Sequence, residues 1–228
     1  MSLFFNAEDG FYTLTTAGII AFIVLAVILL VLAAFISSGV SKEKKKLFST
    51  KQLVFSAVML ALGFATSYVQ LIKMPWGGSV TLFSMLFITL IGYWYGPKIG
   101  LTCAFAYGIM QFLQSGGTYI LSPMQACLDY FFAFAALGVS GFFYKKKNGL
   151  VIGYIVAILA RGLFHTIGGY IYWMDYMPES FPSSLAAIYP ICYNYAYILL
   201  EGVVTVIILM LPPVKKAMSY AKRVATEQ

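Results

Sequence analysis

The sequence predicts an all-α integral membrane protein built as one bundle of apolar helices. Hydrophobic residues make up 61% of the 228 residues and charged residues only 10%, whereas soluble domains carry about 25% charged residues. Apolar stretches of membrane-spanning length recur along the chain, and most basic residues stand in short clusters beside them. A soluble fold needs a polar exterior that this composition cannot supply, and a lipid surrounding removes that need.

The apolar stretches predict seven membrane spans, because a helix needs about 20 apolar residues to cross the hydrocarbon core. The predicted spans are 12–38, 51–72, 79–96, 98–115, 123–144, 149–172 and 189–212. The first is too long for the hydrophobic region of a signal peptide and is interpreted as an uncleaved helix. The predicted organisation is therefore an extra N-terminal helix with a basic loop over 1–48, a six-helix membrane domain over 49–214, and a cytoplasmic tail over 215–228.

The net charge of +7 is distributed as expected for a membrane protein and does not indicate nucleic-acid binding. Five lysines lie in the loop 39–51, three at Lys145–Lys147, and three lysines and an arginine in the tail from Lys215. With seven spans, all of these fall on one side of the membrane. Because cytoplasmic loops are enriched in Lys and Arg, we expect a multi-pass protein of the cell membrane with its N-terminus outside and its C-terminus in the cytoplasm.

Motifs of catalysis and metal binding are missing from the sequence. It has one histidine, and it contains no phosphate-binding loop G-x-x-x-x-G-K-[ST], no H-E-x-x-H and no G-x-S-x-G. Cys103, Cys127 and Cys192 form no C-x-x-C pair and are interpreted as small core residues. We therefore expect neither an enzyme nor a cofactor or metal site.

Four ionisable residues lie inside predicted spans, where charge is costly and usually faces the protein interior. Asp129 and His165 both lie about two helical turns from the outer ends of their spans. Arg161 and Glu201 lie nearer the middle of adjacent spans, and the favoured interpretation is a structural ion pair between them. Alternatively Arg161, four residues before His165 on the same helix face, shapes the floor of a pocket.

Aromatic and amide residues gather at the outer end of the predicted bundle. An interfacial aromatic belt explains Tyr170, Tyr172 and Tyr195, but it does not explain a carboxylate and an imidazole at the same depth. Nor does it explain the tight turn around Trp76, which follows Pro75 and precedes two glycines. Aromatic faces attract cations and an amide can bond ring donors and acceptors. The chemistry indicates a pocket for a small, flat, cationic ligand.

A helix face of small residues runs along the second span. Ala57, Ala61 and Ala65 recur every four residues, a spacing that lets helices approach closely in lipid. Two interpretations remain open for this face: packing against other helices of the same chain, or docking of another membrane protein.

These segments carry a family resemblance. Over residues 50–212 the chain resembles the substrate-binding subunits, or S-components, of energy-coupling factor (ECF) vitamin transporters, and within them the thiamine-specific ThiT family. The similar segments are the alanine series from Ala57, MPWGGSVTL from Met74, YILSPMQACLDY from Tyr119, RGLFHTIGGYIYW from Arg161 and YPICYN from Tyr189. The resemblance implies a six-helix fold that captures thiamine outside the cell, an alanine face that docks on the transmembrane coupling subunit, and two ATP-hydrolysing partner subunits.

The resemblance also implies roles for eight residues. At the thiazolium ring, Trp76 and His165 would contact the two faces and Asp129 would offset the charge. At the pyrimidine, Trp173 would stack on the ring, and its edge would be bonded by Tyr119, Tyr189 and Asn194. Tyr130 would reach the hydroxyethyl end. The chain departs from the family pattern in having aspartate rather than glutamate at 129, no second carboxylate over 77–80, and an additional first span. Alternative functions are an S-component for a related ligand, such as a thiamine precursor pyrimidine, or a stand-alone carrier.

Overall fold

The computed structural model describes residues 5–8, 11–18, 20, 21, 24 and 48–227. Strands β1 (Phe5–Glu8) and β2 (Phe11–Leu14) form an antiparallel hairpin. The start predicted for the first span, at residue 12, is therefore wrong, because residues 11–14 are extended. Helical backbone appears at 16–18, and most of the remaining first span and its lysine loop lie outside the described residues.

Residues 48–227 fold mainly into helices. These are α1 (Thr50–Ser67), α2 (Ser84–Tyr95), α3 (Pro97–Gln114), α4 (Pro123–Phe143), α5 (Gly149–Tyr172), α6 (Tyr189–Met210) and α7 (Pro212–Thr226). Within the described residues, four helical segments are long and apolar enough to cross a membrane: 50–67, 123–143, 149–172 and 183–210, while α2 is apolar but shorter. The prediction of an all-α integral membrane protein is confirmed.

The connection between α1 and α2 differs from the prediction. Helix α1 ends at Ser67 rather than 72, and β3 (Gln70–Lys73) pairs antiparallel with β4 (Ser79–Thr81). We call residues 70–81 the outer hairpin, after the side of the membrane that the lysine pattern predicts for it. Its turn contains Gly77 and Gly78 with φ of 89° and 81°, a left-handed conformation that glycine adopts without a Cβ penalty. The turn inferred around Trp76 is therefore the tip of a two-stranded hairpin.

Helix α4 is wound irregularly along its length. It starts with one α-turn, continues as a π-helix over Cys127–Phe132, and ends as a 3₁₀-helix over Ala136–Phe143. The tighter 3₁₀ part packs closely on α3: a Cβ at Gly138 would lie 2.5 Å from Leu101 Cα, and one at Gly141 would lie 2.6 Å from Pro97 Cα. Glycine is required at both positions because the backbones touch.

The hydrophobic core lies between α2, α3, α4, α5 and α6. Its fully buried members include Ile88, Tyr107, Leu137, Tyr154 and Ile198. Of the three cysteines, Cys103 is buried and Cys127 is half-buried, but Cys192 is exposed on α6. The interpretation of Cys192 as a core residue is therefore wrong.

The segment from 215, predicted as a tail, is helical. Helix α7 packs its apolar face, including Met218 and Ala225, against Trp94 of α2. Lys222 Nζ donates to the carbonyl oxygen of Tyr144, 2.9 Å away, and lies 3.8 Å from the centre of the Tyr93 ring. The lysine-bearing 144–148 turn, the start of α1 and the end of α7 thus meet at one end of the bundle, opposite the outer hairpin.

Candidate ligand-binding cavity

A cavity of about 400 Å³ opens at the end of the bundle that carries the outer hairpin. The hairpin turn, the C-terminal end of α3, the N-terminal half of α4, the C-terminal half of α5 and the N-terminal half of α6 surround it. All eight residues singled out in the sequence line this one cavity: Trp76, Tyr119, Asp129, Tyr130, His165, Trp173, Tyr189 and Asn194. Their assignment as ligand contacts remains a prediction.

Asp129 lies at the centre of a hydrogen-bond network. Its Oδ2 accepts from Gln125 Nε2 at 2.6 Å and from Trp173 Nε1 at 3.1 Å. Its Oδ1 lies 3.3 Å from His165 Nδ1. Burial of a carboxylate costs less free energy when several donors bond it. The network therefore holds the Asp129 carboxylate in one orientation in the cavity wall.

Arg161 orients the imidazole of His165 from the other side. Arg161 Nε donates to His165 Nε2 at 3.3 Å, so Nε2 must carry a lone pair. The ring proton of a neutral imidazole then sits on Nδ1 and points to Asp129. The Arg161 guanidinium also lies 4.3 Å from the centre of the Phe134 ring. Arg161 is thus part of the cavity floor, the second of the two interpretations given above.

The ion pair between Arg161 and Glu201 is not formed. Among the described residues, Arg223–Glu227 is the ion pair within 4.0 Å, and the neutral His165 lies at hydrogen-bond distance from Asp129. Glu201 instead accepts hydrogen bonds from Thr81 N and Thr81 Oγ1. The favoured prediction was wrong because the outer hairpin supplies polar groups that satisfy the carboxylate, and sequence spacing gave no sign of that contact.

Aromatic rings lie beside the cavity at the hairpin end of the bundle. The Trp76 ring, on the hairpin tip, lies 5.5 Å from the Tyr176 ring, which in turn lies 5.3 Å from the Trp173 ring. Tyr119 meets Trp173 edge to face at 6.5 Å. Tyr176 belongs to a 3₁₀ turn at Met174–Tyr176 after α5. Three separate segments of the chain therefore meet beside the cavity through tilted and edge-to-face rings, an arrangement typical of aromatic pairs.

Helix α6 supplies an amide and three phenols. Asn194 Nδ2 donates to the carbonyl oxygens of Pro190 and His165, at 2.9 and 3.2 Å. Asn194 Oδ1 accepts from Tyr197 at 3.3 Å and keeps a second acceptor position. The hydroxyl of Tyr193 accepts from Trp76 N at 2.8 Å and donates to the carbonyl oxygen of Gly77 at 3.0 Å. The amide is therefore held in one orientation, and the hairpin tip is bonded to α6.

Two residues of this network were not selected from the sequence. Gln125 is 1% exposed and orients Asp129, and Tyr193 holds the hairpin tip. Gln125 precedes Asp129 by four residues, so helix periodicity places the two on one face. That spacing was available in the sequence. The contact of Tyr193 with residues 117 positions away was not.

The alanine series lies on the outside of the bundle. Ala57, Ala61 and Ala65 are exposed, whereas Ser56 and Gly63 on the opposite side of α1 are buried. Helix α1 therefore uses one row of small residues to pack on its own chain and leaves the alanine row free. Among the described residues, the three alanines therefore stay exposed and do not pack inside the bundle.

The fold and the cavity define a class of protein, a polytopic membrane protein with an aromatic-walled, acid-containing cavity that opens at one end. Residues 53–221 match the model of the thiamine transporter protein family. The chain is 31% identical over 175 residues to the thiamine transporter ThiT of Bacillus subtilis strain 168, covering 70% of this chain and 88% of that protein. The chain therefore belongs to the thiamine transporter protein family, as its resemblance predicted.

A solved structure supports the fold independently. The structure of ThiT from Listeria monocytogenes superposes with a TM-score of 0.55 at 23% sequence identity, covering 71% of this chain and 94% of that chain. At this level of identity the similarity concerns the fold alone. The helical bundle of this chain is thus a fold already seen in a solved structure.

Proposed function

We propose that this protein is the substrate-binding S-component of an ECF-type transporter and captures thiamine at the outer face of the cell membrane. Membership of the thiamine transporter protein family supports this proposal. The observation that carries it is the position of Asp129, whose carboxylate sits in a cavity walled by Trp76, Trp173 and Tyr119. A permanent cation on a flat heterocycle is the ligand chemistry that such a site favours.

Charge and shape complementarity support the same ligand. The thiazolium of thiamine carries a positive charge that the half-buried carboxylate of Asp129 would offset, and aromatic faces add cation–π attraction. The cavity of about 400 Å³ falls in the usual size range of small-molecule sites. The fixed amide of Asn194 offers an oriented acceptor to the pyrimidine ring.

Energy for uptake would come from partner subunits, because the sequence contains no phosphate-binding loop of its own. The exposed row of Ala57, Ala61 and Ala65 is suited to close helix–helix contact in lipid, which supports docking of a transmembrane coupling subunit. Two ATP-hydrolysing subunits complete the proposed transporter. The lysine clusters support an orientation with the cavity outside and α7 in the cytoplasm.

Thiamine titration followed by tryptophan fluorescence tests the assigned site. The chain has three tryptophans, of which Trp76 and Trp173 line the cavity, so we expect quenching on binding. We expect Asp129→Asn to raise Kd by about tenfold to a hundredfold, because it removes a charged partner worth about 1.5–3 kcal/mol. We expect Trp76→Ala to raise Kd by about tenfold through loss of cation–π contact.

Trp94→Phe is the matched control, because Trp94 lies at the opposite end of the bundle and should leave Kd unchanged. If both site variants bind thiamine as tightly as the parent protein, the assigned site is wrong. Competition by isolated pyrimidine or thiazole fragments that exceeds competition by thiamine would point instead to a related ligand. Thiamine uptake into liposomes by the purified chain alone would favour a stand-alone carrier.

A further inference from the structure

Glu201 is a buried carboxylate that the proposed binding site does not use. It lies in the middle of α6 and is 3% exposed. It does not line the cavity, and no cation of the described residues lies within 4.0 Å of it. Burying a carboxylate inside a membrane helix is costly, so its hydrogen-bond partners identify what the residue contributes.

Every side-chain hydrogen bond of Glu201 goes to the junction between β4 and α2. Oε2 accepts from Thr81 N at 2.7 Å and from Thr81 Oγ1 at 2.8 Å, and Oε1 accepts from Met85 N at 3.4 Å. Since Thr81 gives its hydroxyl proton to Glu201, Ser84 Oγ must donate to Thr81 Oγ1, 2.6 Å away. The Glu201 carboxylate thus accepts hydrogen bonds from a segment that is 116–120 residues away in sequence.

The junction has no cap of its own. Phe83, which precedes α2, is left-handed with φ of 61°, and it makes no side-chain capping bond. The Glu201 carboxylate, which lies on α6, acts as the cap of α2 because it accepts a hydrogen bond from Met85 N in the first turn of α2. Negative charge is favourable at a helix N-terminus, and this contribution offsets part of the cost of burial.

Helix α6 therefore holds the outer hairpin at two points. The tip is bonded by Tyr193 through Trp76 N and the carbonyl oxygen of Gly77. The root is bonded by Glu201 through Thr81. The two α6 residues are eight positions apart, or about 12 Å along the helix axis. Fixing both ends of so short a hairpin determines where the Trp76 ring lies.

We propose that Glu201 is a positioning residue that fixes the root of the outer hairpin to α6 and thereby holds Trp76 over the cavity. The positioning of the hairpin stands on the geometry alone. Only its effect on ligand affinity rests on the proposed thiamine site. The two parts are tested by separate measurements.

Hydrogen exchange of the ligand-free protein tests the positioning. In Glu201→Ala we expect backbone amides of residues 76–81 to exchange at least about tenfold faster than in the parent. The hairpin opens more easily in this variant because the charge-assisted hydrogen bonds between Glu201 and Thr81 are absent. Amides of α5 should be unchanged. Thr205→Ala is the matched control: Thr205 is fully buried on the same helix and donates to the backbone carbonyl of Glu201, 2.7 Å away, not to the hairpin.

A double-mutant cycle with Trp76→Ala tests the link to the ligand. We expect Glu201→Ala to raise the Kd for thiamine by about tenfold in the parent background and by less than about twofold in the Trp76→Ala background, because the effect passes through Trp76. Equal effects in both backgrounds, or hairpin exchange no faster than in Thr205→Ala, would overturn the proposal.

The milder variant Thr81→Val covers the case in which Glu201→Ala does not fold. It removes one donor and keeps the backbone bond, so we expect hairpin exchange about threefold faster. Unchanged exchange in this variant would also contradict the proposal. If exchange rises as expected but thiamine fails to bind even the parent protein, the proposed ligand is wrong and the positioning role stands.

Discussion

Asp129 shows how a single side chain is prepared for a cationic ligand. Its two oxygens already have neighbours in Gln125, Trp173 and His165, so its rotamer is fixed before any ligand arrives. Arg161 fixes the proton of His165 on the side of Asp129. An oriented charge in a medium of low dielectric acts more strongly on a cation than a mobile one in water.

Substitution of Gln125 tests whether the fixed orientation of Asp129 contributes to ligand affinity. In Gln125→Met we expect the Kd for thiamine to rise by about fivefold to tenfold, because Asp129 loses a short, charge-assisted hydrogen bond of the kind worth about 1.5–3 kcal/mol, part of which water replaces. The measurement is the same fluorescence titration. Gln52→Met makes the same chemical change at the far end of the bundle, where Gln52 caps α1, and should leave Kd unaltered.

At the scale of elements, α4 links the site to the core because it changes from a π-helix near the cavity to a 3₁₀-helix in the core. The π-helical turn Cys127–Phe132 carries Asp129 and Tyr130 into the cavity wall, and π-helical turns are frequent at functional sites. The 3₁₀ part that follows brings Gly138 and Gly141 against the α3 backbone. The position of Asp129 therefore depends on how closely the 3₁₀ part of α4, Ala136–Phe143, packs on α3.

We expect Gly138→Ala to destabilise the protein by about 1–3 kcal/mol, the usual cost of overpacking. A Cβ there would lie 2.5 Å from backbone atoms of Leu101, which cannot move aside. Thermal unfolding in detergent measures the change. In the matched control Gly63→Ala, the new Cβ meets the tip of the flexible Ile88 side chain at 2.9 Å, so a small effect is expected. Equal melting temperatures for the two variants would contradict this account.

At the scale of the whole molecule, the two ends of the bundle have different chemistry. One end holds the aromatic cavity, and the other holds lysines and the amphipathic helix α7. There Lys222 bonds the carbonyl of Tyr144, Lys51 bonds the carbonyl of Glu227, and Tyr95 bonds the carbonyl of Ala225. These contacts attach α7 across the ends of α1, α2 and α4, while the alanine row of α1 stays exposed.

That division predicts a variant that separates binding from transport. Ala61→Leu should leave the Kd for thiamine of the isolated protein unchanged, because Ala61 is exposed on α1 and does not line the cavity. It should reduce thiamine uptake by cells at least about tenfold, since a bulky residue blocks close helix–helix approach. Ala196→Leu, on the exposed side of α6, is the control. Undiminished uptake by Ala61→Leu would count against the alanine face as the docking surface.

The sequence by itself determined the class of protein and most helix positions. Apolar length fixes a membrane span because backbone polar groups in lipid must be bonded within the helix, and this is why the span 149–172 was predicted with its observed bounds. The chemistry of Asp129 and His165 at one depth indicated a common interior, and the family resemblance supplied the set of eight residues that all line the cavity. The wrong end of α1, at 72 instead of Ser67, has the opposite origin: apolar residues in a short hairpin have the same composition as a helix end.

Only the tertiary structure decided the partners of the polar groups. Glu201 bonds Thr81 instead of Arg161, and Tyr193 joins the site by bonding Trp76. Both contacts depend on the exact distance between segments that are far apart in sequence. Composition and periodicity contain no such distances. They establish that a buried charge must be satisfied, and the packing of α6 on the outer hairpin determines which groups satisfy it.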